Sequence, residues 1–222
     1  MQLYERLGVP CGVTAVIGSG GKTTLLRTLS RELPGTVILT TTTHILPFEG
    51  VPLLTAPTED EVRSALARSR VLCLDTPAAE GKLTAPSLPF SLLEQLADYV
   101  LVEADGSRRL PLKAHAPHEP VIPPQSNQTI LVLGAEGLGR TVAQAAHRPA
   151  LYARLAGAEE GSVVTPALAA RMLRAEGLHD RVFVNQADDW ERWADAVRAL
   201  AAELDCPVAA GSLRRGVWRR VQ

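Results

Sequence analysis

Aromatic residues are scarce: Phe, Trp and Tyr together make up 4% of the 222 residues. A core built without them is a core of Val, Leu, Ile and Ala. Cysteine is nearly absent too. Cys11, Cys73 and Cys206 are isolated and odd in number, which excludes a disulfide framework and any zinc-type ligand spacing. No apolar run approaches the ~20 residues of a membrane-spanning helix. The opening Met1-Gln2-Leu3-Tyr4-Glu5-Arg6 lacks the basic-then-apolar pattern of a secretory signal. The cytoplasm is therefore the expected compartment, and a membrane is not an expected partner. Charge of either sign is not in excess. The formal net charge is −1, which speaks against nucleic acid, because a phosphate backbone needs many Lys and Arg contacts. The basic tail Arg214-Arg215-Gly216-Val217-Trp218-Arg219-Arg220 reads as a solvated C-terminus, with a local anion-binding patch as the alternative.

What is present is regular. Apolar, β-branched runs alternate with stretches of helical period. Strands are expected over 13–17, 36–43, 71–75, 99–103, 129–133, 181–185 and 207–210. Leu25, Leu26, Leu29 and Leu33 mark the helix after the first strand. Thr58 and Glu61 form a capping box before another. A weaker helix is expected over 86–96 and a short one over 149–156. Thr165-Pro166 starts a further helix that Gly177 stops, and Trp190, Ala194, Val197, Leu200 and Leu204 stripe the last. Five prolines between Arg109 and Gln128 make residues 107–128 an irregular insertion. The expectation is one α/β domain over 1–222, a mostly parallel sheet with helices on both faces in a three-layer, P-loop NTPase-like sandwich. Ligands in such folds bind beyond the carboxyl ends of the strands. The polar motifs follow strands one, two, four and six.

Strand one runs into Gly18-Ser19-Gly20-Gly21-Lys22-Thr23-Thr24. Gly21-Lys22-Thr23 supplies the second half of the phosphate-loop pattern, but Val16 stands where its first glycine belongs. The shorter G-x-x-G-K-T resembles the loop of the Mur ligases. Its chemistry still suits a nucleoside triphosphate, GTP or ATP. Glycines let amides curl round an anion, and the helix start adds positive potential. Lys22 can reach the β- and γ-phosphates, and the Thr23 hydroxyl can hold Mg²⁺. A glycine turn before an exposed lysine is the plainer alternative.

Strand four ends in Glu103 and Asp105, two residues apart and on one face if the chain stays extended. Either suits a role as metal anchor or as orienter of an attacking nucleophile. Glu103, with Thr23, is the metal candidate; Lys22, Glu103 and Asp105 are the catalytic candidates. Asp75 ends strand three in a similar way and is a weaker candidate. Thr40-Thr41-Thr42-Thr43-His44 offers hydroxyls to a metal or phosphate, or is simply a β-branched strand entering a turn.

Strand six is followed by Asn185-Gln186-Ala187-Asp188, which resembles the N-K-x-D motif of GTPases with Gln in place of Lys. A carboxylate accepts from both N1–H and the exocyclic amine of guanine, and adenine offers neither donor. Asp188 would then select guanine, and Asn185 would brace the loop or the base. Amides from Ala209-Ala210-Gly211-Ser212 would reach the guanine oxygen. The alternative is a helix cap at Asp188 or Asp189 before the Trp190 helix.

Taken in order, these segments resemble the YqeC family, described as accessory proteins of selenium-dependent hydroxylases or as selenium-cofactor biosynthesis proteins. The matching residues are 16–24, Thr40 to Ile45, Val102 to Ser107, Lys113, His118 to Pro123, His147-Arg148-Pro149 and 185–188. The resemblance implies a part in maturing molybdenum hydroxylases, through a pterin-type or selenium-containing ligand, with the hydroxylase as partner. It also draws in Thr42, Lys113, His147 and Arg148 as groups for a second, anionic ligand, and points to His118 and Glu119 beside them. Three activities fit: a Mg²⁺-dependent NTPase using GTP in preference to ATP, a kinase or nucleotidyl transferase acting on a pterin-like acceptor, and a nucleotide-gated cofactor chaperone.

Overall fold

Because the chain alternates buried β-branched runs with amphipathic stretches, it folds as alternating strands and helices. A computed structural model describes residues 1–222. In chain order the first elements are α1 (Leu3–Leu7), β1 (Gly12–Gly18), α2 (Lys22–Glu32), β2 (Val37–Thr41), β3 (Leu53–Leu54) and α3 (Glu59–Leu66). Then come β4 (Val71–Leu74), β5 (Thr76–Pro77), β6 (Leu83–Thr84), α4 (Phe90–Leu96) and β7 (Tyr99–Glu103). The second half continues with β8 (Leu112–Lys113), β9 (Ser126–Gly134), α5 (Val142–Ala145), β10 (Ala146–His147) and α6 (Pro149–Ala156). It closes with α7 (Pro166–Glu176), β11 (Arg181–Asn185), α8 (Trp190–Ala202), β12 (Val208–Ser212) and β13 (Val217–Arg220).

The chain divides into two compact units, one of residues 1–16, 23–106 and 121–129, the other of residues 17–22, 107–120 and 130–222. In the first, the strand order is β1-β7-β2-β4-β3. Every pairing is parallel, with Val16 opposite Glu103 and Glu103 opposite Thr41. That register sets the ends of β7 and β2 level. Val13, Ile38, Leu72, Val100 and Val102 pack with Val62 of α3 and Leu93 of α4, all fully buried or nearly so. The Thr58–Glu61 capping box forms as the sequence implies and fixes the start of α3.

In the second unit the order is β9-β11-β12-β13. The first two pairings are parallel, and β13 is antiparallel to β12. Tyr152 of α6 and Phe183 of β11 are its largest fully buried side chains. Pro149 and Pro166 sit at helix starts, and Gly157 and Gly177 close the same helices in the left-handed conformation. In both units parallel strands alternate with flanking helices, the α/β class that the alternation implied.

Four readings need correction. Strand two stops at Thr41, and the Thr43 amide turns back to the Thr41 hydroxyl. The 107–128 stretch is not wholly irregular: it holds β8, paired to β10, and the first residues of β9. The basic tail is not merely solvated: residues 217–220 form the edge strand β13. Strand four ends at Glu103, so strand alternation does not carry through to Asp105.

Candidate functional site

The second unit contains the glycine loop as far as Lys22. β1 ends at Gly18, whose φ of 94° is open to glycine. A Cβ there would lie 2.3 Å from the Val132 carbonyl, so the backbone can pass this closely only without a side chain. Ser19 donates its amide to that carbonyl at 2.9 Å and its hydroxyl to the Leu110 carbonyl. The Gly20 carbonyl accepts from Asn185 Nδ2 at 2.7 Å. Lys22 is 3% exposed and donates from Nζ to the Gly18 carbonyl at 2.8 Å, bent back across its own loop. Lys22 is also the first residue of α2, so the loop delivers the chain into a helix N-terminus of 11 residues.

In the first unit, the next residue, Thr23, donates its hydroxyl to Glu103 Oε2 at 2.8 Å. Glu103 is 7% exposed, and its carbonyl accepts from Thr41 Oγ1 at 2.7 Å and from the Thr42 amide at 3.2 Å. Asp105 follows the strand and is completely buried. Thr24 is exposed on the first turn of α2, its carbonyl accepting from the Thr28 hydroxyl. The threonine run splits in two. Thr40 and Thr41 are fully buried, while Thr42 and Thr43 are half-buried and His44 is exposed. The Thr42 hydroxyl donates to the Val121 carbonyl at 2.7 Å. Asp75 points inward, not toward a ligand. Its carboxylate accepts from Thr40 Oγ1 at 2.8 Å, the Thr41 amide at 3.0 Å and Cys73 Sγ at 3.1 Å. Burial pushes the Asp75 carboxyl up to about 6, against the pull of those hydrogen bonds. The Cys73 thiol is pushed up as well, by burial first and then by the Asp75 charge.

The segment Asn185 to Asp188 lies wholly in the second unit. Asn185 is 7% exposed; besides reaching Gly20, its Oδ1 accepts the Leu213 amide at 3.0 Å. It therefore ties the glycine loop to the turn after β12. Asp189, not Asp188, caps α8, its side chain accepting the Arg192 amide. The cap alternative is thus met, at Asp189. The Asp188 carboxylate accepts instead from the Ser212 hydroxyl, and faces Arg214 at 3.5 Å and Arg215 at 3.7 Å. Both arginines are mostly exposed, so these contacts are soft. Asp188 also borders an open groove of about 460 Å³ with Glu136, Arg140, Gln186, Trp193 and Arg214. Gln186 holds a φ of 62°, and its Oε1 is buried without a hydrogen-bond partner. The Ser212 hydroxyl thus meets Asp188, as do two arginines of the basic tail.

Of the second-ligand candidates, Lys113, His147 and Arg148 also fall in this unit, whereas Thr42 lies in the first. The β8–β10 pairing sets Lys113 opposite His147. Glu119 bridges the cations, 3.1 Å from Lys113 Nζ and paired with the Arg148 guanidinium. Arg148 itself takes a left-handed φ of 62° as it caps α6.

Within the second unit the loop has no room for a Cβ at Gly18 or Gly20, and its lysine lies on a backbone carbonyl; within the first, a hydroxyl lies on a carboxylate. No group of three or more His, Cys, Asp or Glu side chains forms a metal cage. Mg²⁺ seldom uses one, since it keeps waters and takes oxygens from substrate phosphates.

The family model described as "YqeC protein" matches residues 14–150. The chain belongs to the YqeC family. A relative from Escherichia coli (strain K12), described as "Uncharacterized protein YqeC", is 35% identical over 155 residues, which is 65% of this chain. The chain spans 60% of that relative's length. No solved structure matches. The family match takes in the glycine loop, the threonine run, Glu103, Lys113 and Arg148, and stops before Asn185 and Asp188. No helix is long and apolar enough to cross a membrane.

Proposed function

We propose that this YqeC protein binds a guanine nucleoside triphosphate with Mg²⁺ and hydrolyses it, in the service of maturing a molybdenum- or selenium-containing hydroxylase cofactor. The observation that carries the nucleotide reading is the pair of hydrogen bonds by which Asn185 donates to the Gly20 carbonyl and accepts from the Leu213 amide. One side chain joins the loop that would hold phosphates to the two segments, around Asp188 and Ser212, that would hold the base.

In this reading Lys22 exchanges the Gly18 carbonyl for phosphate oxygens, and amides of Gly20 to Thr23 face the same anion. Thr23 and Glu103 would hold Mg²⁺, whose charge would offset that of the phosphates. A water oxygen attacks the γ-phosphorus, the bond to the β-phosphate oxygen breaks, and GDP and phosphate leave. Asp105 or Glu103 orients that water and takes its proton. Asp188 releases Arg214 and Arg215 to accept both donors on the edge of guanine.

A base swap tests this directly. Xanthine carries an acceptor where guanine has its amine, so an amide at 188 suits xanthine as a carboxylate suits guanine. Calorimetric titration of the wild type should show a GTP analogue binding at least about tenfold tighter than an ATP analogue, a gap of roughly 1.4 kcal/mol. Asp188→Asn should reverse the order of GTP and xanthosine triphosphate. Equal affinity for ATP would remove the guanine assignment, and binding of neither would remove the whole reading.

The Lys113–Glu119–Arg148 cluster favours a second reading, in which an anionic acceptor takes the phosphoryl or nucleotidyl group. Mass spectrometry with pterin-type acceptors present would then show a modified acceptor. Inorganic phosphate as the sole product would count against it.

A further inference from the structure

Asp75 is 1% exposed and directly follows β4, in a place where strand ends ordinarily meet water. Burying a carboxylate costs free energy unless it is well bonded, and a neutral side chain would do the structural task more cheaply. Its bonds lead in one direction. Oδ1 takes the Thr41 amide and the Thr40 hydroxyl. Thr41 stands opposite Glu103 in the β2–β7 register, and its hydroxyl donates to the Glu103 carbonyl. The same hydroxyl accepts the Thr43 amide at 3.0 Å, so it is held both as donor and as acceptor. Glu103 then presents its carboxylate to Thr23 at 2.8 Å. Each link lies in the first unit, and the members from Asp75 to Glu103 are all under a tenth exposed.

We infer that Asp75 is a positioning residue that, through Thr41, fixes where the Glu103 carboxylate meets Thr23 and so sets how strongly the start of α2 holds Mg²⁺ beside a bound triphosphate. This rests on the nucleotide reading above. Asp75 touches neither metal nor nucleotide. Its effect falls on the metal-dependent part of affinity and leaves the phosphate loop's own part intact.

The test is calorimetric affinity for a non-hydrolysable GTP analogue, with saturating Mg²⁺ and again with a chelator. Thr41→Val keeps the shape and removes the hydroxyl; Thr41→Ser keeps the hydroxyl. Thr41→Val should cut the gain in affinity due to Mg²⁺ by about tenfold, with chelated affinity within about twofold of wild type. Thr41→Ser should restore most of the gain. Asp75→Ala should follow Thr41→Val, and Asp75→Asn, whose amide oxygen still accepts from Thr40 and Thr41, should lie near wild type. A Thr41→Val protein with the full Mg²⁺ gain overturns the inference. So does a fall of both affinities together, with no rescue by serine, because that is the mark of a merely structural residue. If the wild type binds no analogue at all, the nucleotide reading has failed and this inference fails with it, at a step that the variants do not enter.

Discussion

The two units finish their strands differently. In the first, the ends of β2, β4 and β7 are closed by Thr40, Thr41, Asp75 and Glu103, buried and joined by hydrogen bonds of 2.7 to 3.2 Å. In the second, the segment after β11 keeps one buried brace, Asn185, and one exchangeable carboxylate, Asp188. The arginines facing Asp188 are 78% and 60% exposed and stand 3.5 and 3.7 Å away. The first arrangement is organised in advance and suits a small hard cation whose ligands must not move. The second can change partners at little cost, which suits a base that comes and goes. Buried and saturated means positioning; exposed and loosely paired means exchange.

The sharpest way to break this comparison is at the junction of the units in sequence, Lys22. Lys22→Ala removes the one cation in the glycine loop. Triphosphate affinity should fall about 100-fold, roughly 2.7 kcal/mol, while the melting temperature changes little. Unchanged affinity would show that the loop is a turn and nothing more. The next effect is smaller and of another kind. Asn185→Ala strips a partner from the Leu213 amide and the Gly20 carbonyl, and should cost about 2 kcal/mol of stability, as expected when buried polar groups lose their bonds. Asp188→Ala should cost almost nothing by the same denaturation measurement, because its ion pairs are solvent-screened. Equal costs would erase the distinction between brace and exchanger.

Much of this was legible in the residues. The bounds of β7, α6 and β11 agree with the expected ones, and the caps at Thr58 and Thr165 form as written. These elements are specified by signals within a few residues of themselves. The elements that escaped notice depend on distant partners. α1 is five residues long, and its first amides are taken by Glu32. β8 and β10 are two residues each and exist through one another. β13 exists through β12, so a run of arginines looked like a free tail. The candidate site follows the same rule. Gly18 to Thr23 and Asn185 to Asp188 announce themselves as contiguous motifs. The Thr41–Asp75 link joins residues 34 apart, and only the β2–β4 pairing brings them together. A carboxylate at a strand end looked like a metal candidate because orientation is invisible in sequence, and here the side chain turns into the sheet.

That inward turn has a smaller, pH-dependent consequence. Asp75 titrates at about 6 in the fold, raised by burial from an ordinary value of 3.8. Its folded form therefore binds a proton more readily than its unfolded form. Between about pH 4 and pH 6 the folded state holds more protons than the unfolded one, so stability falls as pH rises through that window. Above it the loss is complete and constant, on the order of 3 kcal/mol for a shift of this size. Asp75→Asn does not titrate. Denaturant melts of both proteins at pH 4.5 and at pH 8 should show the asparagine variant gaining on wild type toward high pH, by up to that amount. Parallel pH profiles would mean that the hydrogen bonds from Thr40, Thr41 and Cys73 offset the burial completely. The Asp75 end of the network would then cost the fold nothing.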